Sequence, residues 1–348
     1  MDKMFSPMFS ILLVPFVLAM FLAINMGGSG TAPSFSAAYG ANIIRKDLIP
    51  GLFGTFVFLG AIIAGKKVSL TIGKGILPNE VMNLALTSII LLSVALSLLA
   101  ANLMKIPQST SQATVTALVG PAIYFDILKT NKLFFEIIPT WFILPLVSFL
   151  ITYIIGKYIY NPVKKRGWFN FQQISSHIGL KLLVILASLY VSFAIGSNNV
   201  ANAAGPIASM LANELKITLT NNNFLLVMIV STLIIAPCFG IGSSLLGHKV
   251  VQTTGKEIID FGPMGASLIS FITGTLLLLA SVTHGIPTSL VQMNTMSIIG
   301  LGISKIGWRE ILKKTSIKKL LTVWIIAPIF SFLISITLTY IAAQIGWL

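Results

Sequence analysis

The sequence predicts an all-α polytopic membrane protein built from two inverted-topology repeats, each with a broken helix and a re-entrant hairpin. Three observations carry that prediction. The 348 residues are 55% hydrophobic and only 9% charged, and the apolar runs repeatedly approach the roughly 20 residues that a bilayer-spanning helix needs. Four stretches recur in the same order in the two halves. Twice, a run of Gly, Ser and Asn interrupts an apolar segment where lipid would lie: "INMGGSGTAPSFSAAYGA" at 24–41 and "SFAIGSNNVANAAGPIA" at 192–208.

Residues 9–25 are apolar enough for a signal peptide, but no small-residue cleavage site leads into a soluble domain, so they read as a first span. The recurrences then set the order of the remaining elements. "NMGGSGTAPS" matches "IGSNNVANAA" with Gly27 on Gly196, and "KKVSLTIGKGIL" matches "HKVVQTTGKEII" with Thr71 on Thr253. "KIPQSTSQATVTALVG" matches "GIPTSLVQMNTMSIIG" with Pro107 on Pro287, and "WFILPLVSFLI" matches "WIIAPIFSFLI" with Trp141 on Trp324. Each repeat thus reads as a helix broken in its middle, a second span, a segment turning at a Pro-x-Ser tip, and a closing span. The predicted division is 1–156 for the first repeat, 157–181 for a basic cytoplasmic linker, and 182–348 for the second repeat.

If each tip is re-entrant, a repeat crosses three times and the second must be inverted. With both termini outside, the predicted cytoplasmic stretches hold 15 of the 23 Lys and Arg, and the positive-inside bias favours that orientation. The formal charge of +14 would point to nucleic acid in a soluble protein. Here it is explained by loops facing an anionic leaflet, so lipid is the expected partner and nucleic acid is not. The single cysteine, Cys238, has no intrachain disulfide partner and reads as packing.

Backbone that leaves a helix at bilayer depth must be satisfied by protein, water or ligand, and new helix N-termini at the midplane favour an anion. The residues placed to receive one are Ser29, Thr31 and Ser34 in the first repeat and Asn198, Asn199 and Asn202 in the second. The tips add Ser109, Thr110 and Ser111, and Thr288 and Ser289. Taken singly, these small residues also suit close helix packing; their fourfold, paired placement favours one anion cavity. Neutral oxygens available to a cation are those of Asn25, Gln112, Gln292 and Asn294. Lys105 and His284 stand just before the two tips as candidates for anion contact or coupling. No carboxylate pair, metal-ligand cluster or catalytic motif lies at a plausible depth, so neither an enzyme nor a resident cofactor is expected.

These residues resemble the inorganic phosphate transporter (PiT) superfamily, whose two signatures read Gly-Ala-Asn-Asp-x-Ala-Asn-Ala and are paired with Pro-x-Ser-Thr hairpins. "GSNNVANAAG" matches closely, with Asn199 where the family has aspartate; "GGSGTAPSFSAAYG" is a diverged copy with Gly30 at that place. The loss of both aspartates, with "NMGGSG" and "IPQSTSQATV", resembles the sulfate permease branch. The resemblance implies a secondary transporter of a tetrahedral oxyanion in a prokaryotic inner (plasma) membrane, and a homodimer. Sulfate carries no proton near neutral pH, so a buried carboxylate would repel it without gaining a hydrogen bond. Importing a dianion against an inside-negative potential costs about 4.6 kcal/mol per 100 mV, so co-transported cations are required. The family's phosphate members use sodium through the aspartates missing here, which turns the expectation toward protons, with sodium held by neutral oxygens as the other route. A sodium-coupled phosphate transporter and an anion channel are the alternatives. Thiosulfate and molybdate share the sulfate geometry.

Overall fold

The computed structural model describes residues 7–104, 108–165, 177–216, 221–247, 262–313 and 315–348. All regular structure among them is helical. In the first half the long helices are α1 (Pro7–Gly40), α2 (Ile49–Ala64), α3 (Leu84–Leu103), α4 (Thr110–Tyr124) and α5 (Ile138–Ile155). In the second they are α6 (Ile178–Asn199), α7 (Ala201–Glu214), α8 (Asn221–Ile235), α9 (Gly262–Thr283), α10 (Leu290–Ile306) and α11 (Thr315–Gln344). A short helix, Pro237–Gly242, prolongs α8. Eight helical stretches among the described residues are long and apolar enough to cross a bilayer, four in each half. The chain is an integral, multi-pass membrane protein.

Side-chain capping sets several helix starts. Asn83 accepts from the Leu86 amide at 2.8 Å to open α3. Ser109 accepts from the Gln112 amide at 3.3 Å to open α4, and Ser289 accepts from the Gln292 amide at 3.2 Å to open α10. The last two caps occupy equivalent places in the repeated sequence.

The helix breaks expected from the glycine-rich runs do not occur in that form. α1 runs through 24–40 as one helix, and α6 and α7 are separated only by Val200, whose backbone is itself helical. Two physical reasons replace the expected one. The hydroxyls in α1 bond back to their own helix, Ser29 to the Met26 carbonyl, Thr31 to Gly27 and Ser34 to Gly30, so they leave its backbone ladder intact. The glycines serve close crossings: a Cβ at Gly196 would strike the Val57 carbonyl and one at Gly60 the Phe193 carbonyl. Equivalently, one at Gly27 would strike Phe239 and one at Gly242 would strike Ile24. The crossing of α6 with α2 is therefore repeated by that of α1 with Pro237–Gly242.

The same pairing extends through the molecule. α1 packs on α3 as α6 packs on α9, while the second arm of each hairpin packs on the closing helix of the other half, α4 on α11 and α10 on α5. Ser331 donates to the Ala113 carbonyl and Ser148 to the Met293 carbonyl, both at 2.9 Å, as equivalent bonds. Between the halves, the amides of Gln112 and Gln292 exchange reciprocal hydrogen bonds of 3.0 Å. Both tips end beside the interior of α1 and the last turn of α6, where it passes into α7, and this positions the site.

Candidate functional site

Four segments meet at a small buried cavity. α1 contributes Ser29, Gly30 and Pro33; the first tip contributes Gln108, Ser109 and Thr110; α6 contributes Ile195 and Asn199; the second tip and the start of α10 contribute residues 288–291. Its volume is about 20 Å³, room for a single water-sized molecule. As the side chains stand, this is less room than a five-atom oxyanion needs.

The local chemistry is that of an anion receptor without a carboxylate. The N-terminal turns of α4 and α10 both open at the cavity, and the first amides of a helix have no intrahelical acceptor. The Ser109 and Ser289 caps satisfy one of these in each helix, leaving others at Thr110, Ser111, Leu290 and Val291 beside the two positive dipole ends. Among the described residues no acidic residue lines the cavity. No His, Cys, Asp and Glu cluster suited to a metal exists among the described residues. Gly30 and Asn199, the two positions without aspartate, both face the cavity.

Asn198 holds the parts together. Its Nδ2 donates to Ser281 Oγ at 2.9 Å and to the Ile286 carbonyl at 3.0 Å, while its Oδ1 accepts from Ser111 Oγ and from the Thr288 amide, each at 3.2 Å. It ties α6 to both hairpins and is itself fully used. Ser111 also accepts from Asn202 Nδ2 at 3.2 Å. Asn199 makes no side-chain hydrogen bond among the described residues and remains available to a ligand. Trp141 Nε1 donates to the Pro287 carbonyl at 2.9 Å, fixing the second tip from α5.

Of the residues singled out in the sequence, Ser29, Ser109, Thr110, Asn199, Thr288 and Ser289 line the cavity. Asn198, Ser111 and Asn202 form the bonded layer behind it. Ser34 is buried away from the lining, and Thr31 faces a separate, open cavity with Lys46, Asp47 and Ser243. Gln112 and Gln292 spend one amide hydrogen and one carbonyl oxygen each on one another. Asn25 accepts from Asn102 at 3.2 Å and donates to the Phe21 carbonyl, and Asn294 is half-buried outside the lining. His284 is exposed on a different, lysine-lined concavity, so its side chain does not stand beside the cavity. Lys105 and Pro107 lie outside the described residues.

Gln108 is the lining residue the sequence reading passed over. The signal for it was present: it occupies the place in the first tip that Thr288 occupies in the second. Gln108 Oε1, Thr288 Oγ1 and Asn202 Oδ1 are buried oxygens with no partner. Unpaired buried acceptors of this kind call for a ligand or an ordered water.

The chain is similar to known proteins in sequence and in fold. A model of the phosphate transporter family matches residues 26–335. The sulfate permease CysP of Bacillus subtilis (strain 168) is 35% identical over 93% of this chain and 86% of its own length. The putative phosphate permease PYRAB14010 of Pyrococcus abyssi (strain GE5 / Orsay) is 23% identical over 93% of this chain and 96% of its own. A solved structure titled the sodium-dependent phosphate transporter superposes with a TM-score of 0.79 over 97% of this chain and all of that one, at 22% identity, so the fold is shared. The chain belongs to the phosphate transporter family.

Proposed function

We propose that this transporter imports sulfate by cation symport, through alternating exposure of the cavity between the two hairpin tips and α1 and α6. The observation that carries the reading is a cavity at paired helix N-termini with no carboxylate. Its Gly30 and Asn199 stand in place of the acidic groups that would accept a hydrogen bond from monohydrogen phosphate and repel a proton-free dianion. The relation to a protein named sulfate permease supports the same substrate. Chloride-like monovalent anions would satisfy fewer of the converging donors than four tetrahedral oxygens do.

The coupling cation is constrained by charge. At least two cations neutralise the dianion and three are needed to draw on the membrane potential, at about 2.3 kcal/mol per charge per 100 mV. Among the described residues no side chain lining the cavity is a histidine, lysine or carboxylate that could carry a proton beside the anion. The lining residues Gln108 and Thr288 each carry an unpaired neutral oxygen of the kind a hard cation takes, and we favour sodium, on which the structurally similar phosphate transporter also depends by its title. The inverted insertion of the two halves and external termini complete the proposal.

The test is uptake of labelled sulfate into proteoliposomes with sodium and pH gradients imposed separately. Accumulation driven by sodium at equal pH is the expected result. Accumulation that needs only a pH gradient would move the coupling back to protons, and equilibration without accumulation under either gradient would make the protein a channel.

A further inference from the structure

A second basic feature lies outside this cavity. Lys67 of the short helix Lys66–Leu70, Lys74 of the following helical turn, and Lys129 and Lys132 at the two ends of the short helix Thr130–Lys132 surround one open concavity of about 500 Å³, which His284 also lines. These side chains come from three separate segments, so sequence neighbourhood does not explain their convergence. Among the described residues one carboxylate pairs with them: Glu136, 3.2 Å from Lys132. Four ammonium groups around one concavity repel each other, and the fold offsets this with neutral acceptors. Lys67 donates to the Thr283 carbonyl and Lys129 to the Lys74 carbonyl, both at 2.8 Å, Lys132 reaches the His284 carbonyl at 3.4 Å, and Lys74 lies 5.5 Å from the centre of the Phe224 ring. Each ammonium has three donors, so these bonds leave hydrogens free for a ligand.

The concavity is joined to the buried site by the second hairpin itself. His284 lines one and Thr288 the other, and four residues of extended chain span at most about 14 Å. Gly285, at φ +64°, sits where a Cβ would lie 2.6 Å from the Lys67 carbonyl oxygen, so the root of the tip rests directly on the lysine helix.

We propose that this lysine-lined concavity is a second, outer site for a tetrahedral oxyanion, either the free substrate on its way to the buried cavity or the phosphate of an anionic lipid headgroup. Its residues are distinct from those of the buried cavity, and only its role in delivery rests on the import reading. The site raises the local concentration of dianion at the mouth of the transporter, an electrostatic effect that weakens as salt screens it.

The test is lysine acetylation footprinted by mass spectrometry, which reads occupancy without transport. In detergent, sodium sulfate should slow acetylation of Lys74 and Lys129 several-fold relative to exposed Lys216, compared with sodium chloride at equal ionic strength. The same measurement in nanodiscs of neutral lipid, with and without phosphatidylglycerol and with no sulfate, separates the two sources. Protection by sulfate assigns the free anion, protection by phosphatidylglycerol alone assigns the headgroup, and protection by neither overturns the site. In proteoliposomes, Lys74→Gln combined with Lys129→Gln should lower the kcat/KM of sulfate uptake about tenfold, the lower end of steering effects, with kcat retained and a shallower salt dependence. An unchanged salt dependence would overturn the delivery role.

Discussion

At the scale of single residues, two adjacent asparagines do different work. Asn198 satisfies four buried partners on three segments, whereas Asn199 faces the cavity with no side-chain partner among the described residues. Removing one member of a buried bond leaves the other unsatisfied at about 1–3 kcal/mol. Asn198→Leu therefore strands the Ile286 carbonyl and the Thr288 amide and removes one bond each from Ser281 and Ser111, which keep bonds to the Leu277 carbonyl and to Asn202, and should lower stability by roughly 2–5 kcal/mol. Asn199→Leu should leave stability near that of the unmodified protein while abolishing uptake. Thermal unfolding in detergent, followed by the uptake assay, checks both. Equal melting temperatures for the two variants would contradict the division of roles.

At the scale of elements, hairpins and spans were legible in the sequence because their signals are local. An apolar run of sufficient length, a Pro-x-Ser tip and a serine cap each act within a few residues. The continuity of α1 was not legible, because Gly and Ser serve equally a helix break and a close helix crossing. Which it is depends on a partner far away in the chain, in the other half, such as the Phe239 carbonyl against Gly27. The same limit applies to Thr31, which the spacing grouped with Ser29 but whose place on the helix turns it toward Gly247. Gly196→Ala places a methyl against the Val57 carbonyl, a backbone atom that cannot swing aside, and should cost about 1–3 kcal/mol or more. Gly179→Ala, with nothing near its Cβ at the exposed start of α6, should be neutral or stabilising by about 0.4–1 kcal/mol. Unfolding of the pair against the unmodified protein separates crossing glycines from incidental ones.

At the scale of the whole molecule, the pairing of α4 with α11 and of α10 with α5 makes each half complete only against the other, with the Gln112 and Gln292 amides meeting between them. Exchange between two equivalent arrangements of such halves is the expected basis of alternating access. The 16 residues of α2 are about 24 Å long and separate Lys46 from Lys66. In a Cys238→Ser background, a cysteine at Lys66 should react with an impermeant maleimide added to intact cells, and one at Lys46 only after permeabilisation; the reverse would overturn the orientation read from the charge bias. The central claim is that a cavity without carboxylates selects sulfate. It is tested most directly by competition of unlabelled sulfate and phosphate against labelled sulfate uptake in proteoliposomes carrying the unmodified protein or Asn199→Asp. The account predicts that sulfate competes and phosphate does not in the unmodified protein, and that Asn199→Asp weakens sulfate and admits monohydrogen phosphate. Equal competition by phosphate in the unmodified protein, or sulfate affinity unchanged by Asn199→Asp, would contradict it.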